Sequence, residues 1–203
     1  MGASRSTPTK GEVTRHAVLD AAIARFGRDG YRSTSLADIA RAAGVGQTVP
    51  YAYYPSKEAL FFAAVDEDAA GVIREGVSSI LEDPRATDWQ ESLIFTLLDA
   101  VEHHPLARRL LAGLEPEVTV RVLDTPALTD LRKACAERLR ADQAAGWVRR
   151  DIDPAAIANG LVTVILSLLM SVVQLGREAA ATYAGDVGVL LQAALGPLPG
   201  RRR

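Results

Sequence analysis

The stretch from Ser35 to Lys57, SLADIARAAGVGQTVPYAYYPSK, constrains this chain more than any other. Leu36, Ile39, Ala40 and Ala43 recur at spacings of three and four, which is one face of a helix. Ser35 stands just before that run and Asp38 three residues later, close to a capping box. Gly44 stops the helix where a left-handed residue is easiest to accommodate. Val45, between two glycines, is the only side chain in the turn able to anchor it to a core. Gln47 to Tyr54 then forms a second short segment with three tyrosines and no acid, closed by Pro55 and by Ser56 as the next cap. The pattern predicts a helix-turn-helix, whose second helix is shaped to enter a DNA major groove.

The rest of the chain must be compatible with that unit. Its 203 residues are rich in Ala, Leu, Val and Arg, aromatics make up 5%, and long alternating strand patterns are absent, so the expectation is an all-α protein of about nine helices. Charge is unevenly placed. Residues 1–57 carry eight Lys/Arg against four Asp/Glu, and residues 58–203 fifteen against twenty-one, which suits a small DNA-contacting head on an acidic body. Cys135 is the sole cysteine, so no intrachain disulfide can form, in keeping with a reducing bacterial cytoplasm. The first fifteen residues lack the apolar run of a signal peptide. Ala155 to Gly176 is uncharged over 22 residues, long enough to cross a bilayer. Gly160, Thr163, Ser167, Ser171 and Gln174 form a small or polar stripe along it, which favours a packed soluble helix over a membrane span.

In chain order, residues 1–11 read as a disordered arm, in which Arg5 and Lys10 either touch phosphate or are simply solvated. A head domain follows over 12–58, with the helix-turn-helix at 35–54. Its first helix spans 12–29, buries Leu19, Ala22, Ile23 and Phe26, and ends at Gly30. A three-helix unit of this size is marginal alone, so it should pack on the helix running from Ser56 to Leu81 through Leu60, Phe61, Ala64 and Val65. The body, 59–196, continues with helices from Asp88 to His103 and from Pro105 to about Gly113, then an uncertain segment between Pro116 and Pro126. Three long helices follow: Pro126–Ala145 closed by Gly146, an apolar helix opened by Asp153-Pro154, and a last one from Ala179 to Leu195. Residues 197–203 read as a disordered basic tail.

The stretch VLDAAIARFGRDGYRSTSLADIARAAGVGQTVPYAYYPSKEALF resembles the N-terminal domain of TetR-family transcriptional regulators. The signposts are Ala21-Ala22, Phe26, Gly30-Tyr31, Thr34-Ser35, Ile39-Ala40, Ala43-Gly44-Val45, Tyr51, Tyr54 and Ser56-Lys57-Glu58, and they cover about a quarter of the chain. The resemblance implies a homodimer built by the last two helices, a body cavity for a small-molecule effector, and a palindromic operator in double-stranded DNA. Carried over by position, Gln47, Thr48, Ala52 and Tyr53 face the groove. Tyr51 and Lys57 contact phosphate, and Ser35 caps the second helix where a phosphate can also meet backbone N–H groups. Gln47 can pair bidentately with adenine and Thr48 can touch a thymine methyl. Two residues depart from the family pattern: Gly46 replaces a Ser/Thr cap and Pro50 replaces a leucine. Proline is tolerated only in a helix's first turn, so the recognition helix should start at Gln47 or Thr48 and be short.

Other constellations carry little chemistry. His103 and His104 are neighbours and do not share a helix face. Gly71 and Gly76 have the glycine spacing of a P-loop, but Val77 stands where lysine is required. No catalytic motif and no cofactor site is found. Trp89, Leu93, Leu97, His104, Leu131 and Cys135 are the candidate effector contacts, with ordinary core packing the alternative for each. Dimerisation should bury the Leu161–Leu175 face with Val187, Leu190 and Leu191. The resulting expectation is a ligand-responsive repressor released by an apolar effector. The alternative is a dimeric helical interaction or carrier protein whose DNA-binding head is degenerate, for which Gly46 and Pro50 are the support.

Overall fold

The computed structural model describes residues 9–77, 89–116 and 125–196. Among these residues the chain forms α-helices: α1 Lys10–Ser33, α2 Leu36–Ala42, α3 Val49–Tyr53, α4 Lys57–Val77, α5 Trp89–His103, α6 Pro105–Leu111, α7 Pro126–Ala145, α8 Pro154–Leu175 and α9 Arg177–Leu195. Local chemistry sets most of these ends. Thr9 and Glu12 form a capping box at α1, and the helix departs from helical geometry at Gly30, with φ 82° and ψ 167°. Thr125 and Asp153 cap α7 and α8 through their side chains, each followed by a proline in the first turn where its missing N–H is harmless. α9 begins two residues before the expected Ala179 and carries through Gly185 and Gly188. Arg5, the segment between α4 and α5, residues 117–124 and the basic tail lie outside the described residues.

Two hydrophobic clusters organise the packing. The first joins Val18, Leu19, Ala22 and Phe26 of α1 to Leu36, Ile39 and Tyr54, to Leu60, Phe61, Ala64 and Val65 of α4, and to Leu106 and Leu110 of α6. Ile23, expected in the buried face of α1, is only half-buried at its edge. The head's core therefore extends past residue 58 and borrows α6 from the body. At the α1–α6 crossing a side chain on Gly27 would lie 2.8 Å from the Pro105 backbone, so only glycine lets the two helices approach this closely. The second cluster is the body core, drawn from α4 through α9.

α8 is the one helix among the described residues long and apolar enough to cross a membrane. Its apolar face is occupied: Leu161, Val162, Ile165, Leu168, Leu169 and Val172 are buried in the body core. Its opposite side exposes Gly160, Thr163 and Ser167. The hydroxyls of Thr163, Ser167 and Ser171 each donate to the carbonyl four residues back at 2.9 Å. This bears on the expected dimer face without deciding it. Leu161, Val162, Ile165, Leu168, Leu169 and Val172 turn inward and Val187 and Leu191 are half-buried against the body, whereas Leu175 and, among the described side chains of α9, Tyr183, Val189 and Leu190 are exposed.

Candidate functional site

The helix-turn-helix is built by its caps. The Ser35 side chain accepts the Asp38 N–H at 3.1 Å, while the Asp38 carboxylate accepts the Ser35 N–H and hydroxyl. These bonds hold the Asp38 carboxyl below its ordinary value. α2 ends in a Schellman arrangement, with Gly44 N–H on the Arg41 carbonyl and Val45 N–H on the Ala40 carbonyl at 3.0 Å. Gly44 has φ 68°, the left-handed conformation the turn demands. Val45 packs against the head's core as its position required.

α3 starts one to two residues later than expected, at Val49, with Thr48 as its cap residue. Pro50 is buried at its second position, where no helical N–H is needed, and the Gly46 carbonyl accepts the Val49 N–H at 2.9 Å. Both departures from the family pattern are thus absorbed without loss of the helix. Gln47, Thr48, Tyr51 and Ala52 are exposed, Tyr53 is half-buried, and Tyr54 is core at 5% exposure. Tyr51 is 58% exposed.

Ser35, Tyr51 and Lys57 come together in one open concavity, which Arg32, Ser33, Thr34, Ala37 and Ser56 also line. The first turns of α2 and α4 both border it, and first-turn N–H groups have no partner within their own helix. The Lys57 ammonium lies 4.4 Å from the centre of the Tyr31 ring, which orients it by a cation–π contact. Cations, hydroxyls and helix starts in one depression are what a phosphate requires. Arg32 and Ser33 escaped the sequence reading because they follow the break at Gly30, where no periodic pattern marks them.

A second concavity lies in the body. It encloses about 610 Å³ free of protein atoms, its opening included, between α4, α5, α6, α7 and α8. Leu97 and Leu131 line it; Trp89, Leu93, His104 and Cys135 do not. The reasons are specific. Trp89 is fully buried and donates its indole N–H to Asp142 at 2.8 Å, beside the buried Arg138–Asp142 pair. Leu93 is wholly enclosed by the core. Cys135 is also enclosed, and burial pushes its thiol up to about 12, far from a reactive thiolate. His104 is committed to carboxylates: its Nδ1 lies 2.7 Å from Asp68 and its Nε2 3.4 Å from Glu75.

Asp68 ties head to body. This buried carboxylate of α4 accepts the N–H groups of Leu106 and Ala107, at 3.0 and 2.8 Å, in the first turn of α6. At the other end of α6, Glu115 accepts the Arg109 Nε–H at 2.8 Å and the Tyr31 N–H at 3.1 Å, just past the break in α1. No group of three or more His, Cys, Asp or Glu able to hold a metal occurs among the described residues.

Comparison with known proteins agrees with this geometry. The model of bacterial regulatory proteins of the tetR family matches residues 18–64. The helix-turn-helix regulator YdgC of Bacillus subtilis is 26% identical over 187 residues, covering 90% of this chain and 93% of YdgC. The transcriptional repressor Rv1474c of Mycobacterium tuberculosis is 27% identical over 168 residues, covering 81% and 84%. A TetR-family regulator structure from Mesorhizobium loti superposes with a TM-score of 0.74 at 20% identity, over 93% of this chain and 100% of that one. Residues 18–64 thus match the DNA-binding domain of the tetR family, and the relatives aligned over most of the chain are transcriptional regulators.

Proposed function

We propose that this protein is a cytoplasmic, dimeric repressor that binds a palindromic operator and leaves it when an apolar effector fills the body cavity. The observation that carries the reading is shared packing. Val65 and Leu110 belong to the head's core and at the same time line the cavity, so no spacer separates effector from DNA reader. An effector acts only through unequal affinity for two arrangements of the dimer. Here it would favour one in which the two recognition helices no longer match successive major grooves, about 34–36 Å apart.

In this reading Gln47, Thr48, Ala52 and Tyr53 meet base edges, and Ser35, Tyr51 and Lys57 hold phosphate, joined by Arg32 and Ser33. The exposed side of α8 and the Val189 and Leu190 side chains of α9 pack against a second copy. Repression is supported by the relative named as a repressor.

The test is binding of the purified protein to its own upstream intergenic DNA, against a shuffled duplex, over a salt series. Selective, salt-sensitive binding as a dimer is expected. Lys57→Ala should weaken binding to every sequence and lower the salt slope by about one. Gln47→Ala should relax preference at one base pair. Equal loss by both variants on specific and random DNA would refute this division of roles.

A further inference from the structure

The wall of the body cavity is notable for what it omits. Its fifteen described lining residues are all Ala, Val, Leu or Ile, with no donor, acceptor, charge or aromatic ring among their side chains. The backbone of that wall comes from helices, whose interior N–H and carbonyl groups bond to one another. A hydroxyl or amide placed there would surrender its water partners with no hydrogen bond in return, and a carboxylate would lose still more. A flat aromatic ligand would find no ring to stack on. The space between these side chains, its opening included, is bordered by apolar groups alone, and apolar cavities stay dry and accept hydrocarbons.

We infer that the cavity takes an unsubstituted aliphatic chain, inserted tail first, with the polar end of the amphiphile left at the opening. This rests on the reading of the cavity as the effector site and narrows its ligand to one chemistry, shared by fatty alcohols, acids and esters. Branched methyl groups from five helices surround the chain, and its length, not its polar end, sets affinity. Ala69 on α4 and Ala107 on α6 are the smallest side chains in the wall and therefore leave the room that the chain fills.

The experiment is calorimetric titration of the full chain with primary alcohols from hexanol to dodecanol, with naphthol as an aromatic comparator of the same carbon number as decanol. One-to-one binding should tighten about fourfold per methylene, since each buried CH₂ contributes about 0.8 kcal/mol and about 1.4 kcal/mol is tenfold. The gain should stop at a cut-off length. Ala69→Leu and Ala107→Leu each add three carbons to the wall, so each should shorten the cut-off by about three methylenes. Either variant suffices if the other fails to fold. Naphthol binding more tightly than decanol, affinity independent of chain length, or a cut-off unmoved in folded variants would overturn the proposal. Operator release is read separately. Alcohols that bind without releasing DNA would sustain the proposal and remove the effector reading. Release by a polar compound from a protein that binds no alcohol would do the reverse.

Discussion

The head and the body of this protein are both helical and both apolar inside, yet they are packed from different materials. Seven of the eleven aromatic residues fall between Phe26 and Phe62. Phe26, Tyr31 and Phe61 meet ring to ring at 4.9–6.1 Å, two of the three pairs edge-on. The body core is mostly aliphatic, and it leaves a cavity. Interlocked rings with two side-chain torsions each specify one shape, whereas branched aliphatic chains can repack around an insert. The head is thus suited to present a fixed surface, and the body to admit a guest. α6 belongs to both, through Leu106 and Leu110 on one side and Ala107, Leu110 and Leu111 on the other.

The largest expected effect breaks this comparison directly. Phe61→Ala removes a ring that is 1% exposed and should destabilise the protein by about 3–5 kcal/mol, with loss of DNA binding. Leu131→Ala, on the cavity wall, should cost only about 2 kcal/mol, at the low end for leucine, because part of its surroundings is already empty. Denaturant melts followed separately by tyrosine and tryptophan emission would measure both. Both tryptophans lie in the body and four of the five tyrosines in the head. Equal losses in the two variants would mean that the aromatic and aliphatic cores are equally tight.

The joint between the two regions gives the next effect. Asp68→Ala strips acceptors from the N–H groups of Leu106 and Ala107. Leaving buried donors unpaired costs about 1–3 kcal/mol each, so a loss of about 3 kcal/mol is expected. Asp68→Asn keeps one acceptor and should lose less. If Asp68 only holds the start of α6 in place, neither variant will change how effector occupancy shifts operator affinity. If it couples the regions, that shift should shrink in the asparagine variant even where the fold is intact.

These contrasts also explain how far the sequence could be read. Ends of elements were legible because they are local: Ser35 with Asp38, Gly44, Thr125-Pro126, Gly146 and Asp153-Pro154 each act within a turn of themselves. Site residues of the helix-turn-helix were legible for the same reason, with Arg32 and Ser33 missed for want of a pattern. The cavity was not. Trp89, Leu93 and Leu97 recur at helical spacing on α5, yet Trp89 faces Asp142, Leu93 faces the core and only Leu97 faces the cavity. Which apolar side chain meets empty space depends on the partner helices, and no spacing along one helix records that. The inward turn of Leu161, Val162, Ile165, Leu168, Leu169 and Val172 was hidden in the same way, since a helix with apolar residues on most faces does not announce which face its own core will take.

A moderate effect sharpens the comparison at the motif itself. Ser35→Ala removes the α2 cap and should cost about 1 kcal/mol. Because Ser35 also lines the concavity with Lys57, operator affinity should fall further than that destabilisation accounts for. A drop in affinity no larger than the change in folded population would leave Ser35 as a cap alone.

The smallest expected effect concerns acid. Asp38 is held below its ordinary value of 3.8 by the Ser35 hydroxyl and N–H. Folding thus favours the charged carboxylate. Its contribution is complete above the unfolded value and is lost as pH falls through the lower, folded one. α7 is capped by the Thr125 hydroxyl, which accepts the Leu128 N–H and does not titrate. Amide exchange followed as pH drops below about 4 should therefore show the first turn of α2 loosening before that of α7. Asp38→Asn should abolish the difference, because the amide can accept the same N–H and carries no charge to lose. Parallel loosening of both helices in the unaltered protein would mean that acid acts on the whole fold, and that the head's cap is no more sensitive than the body's.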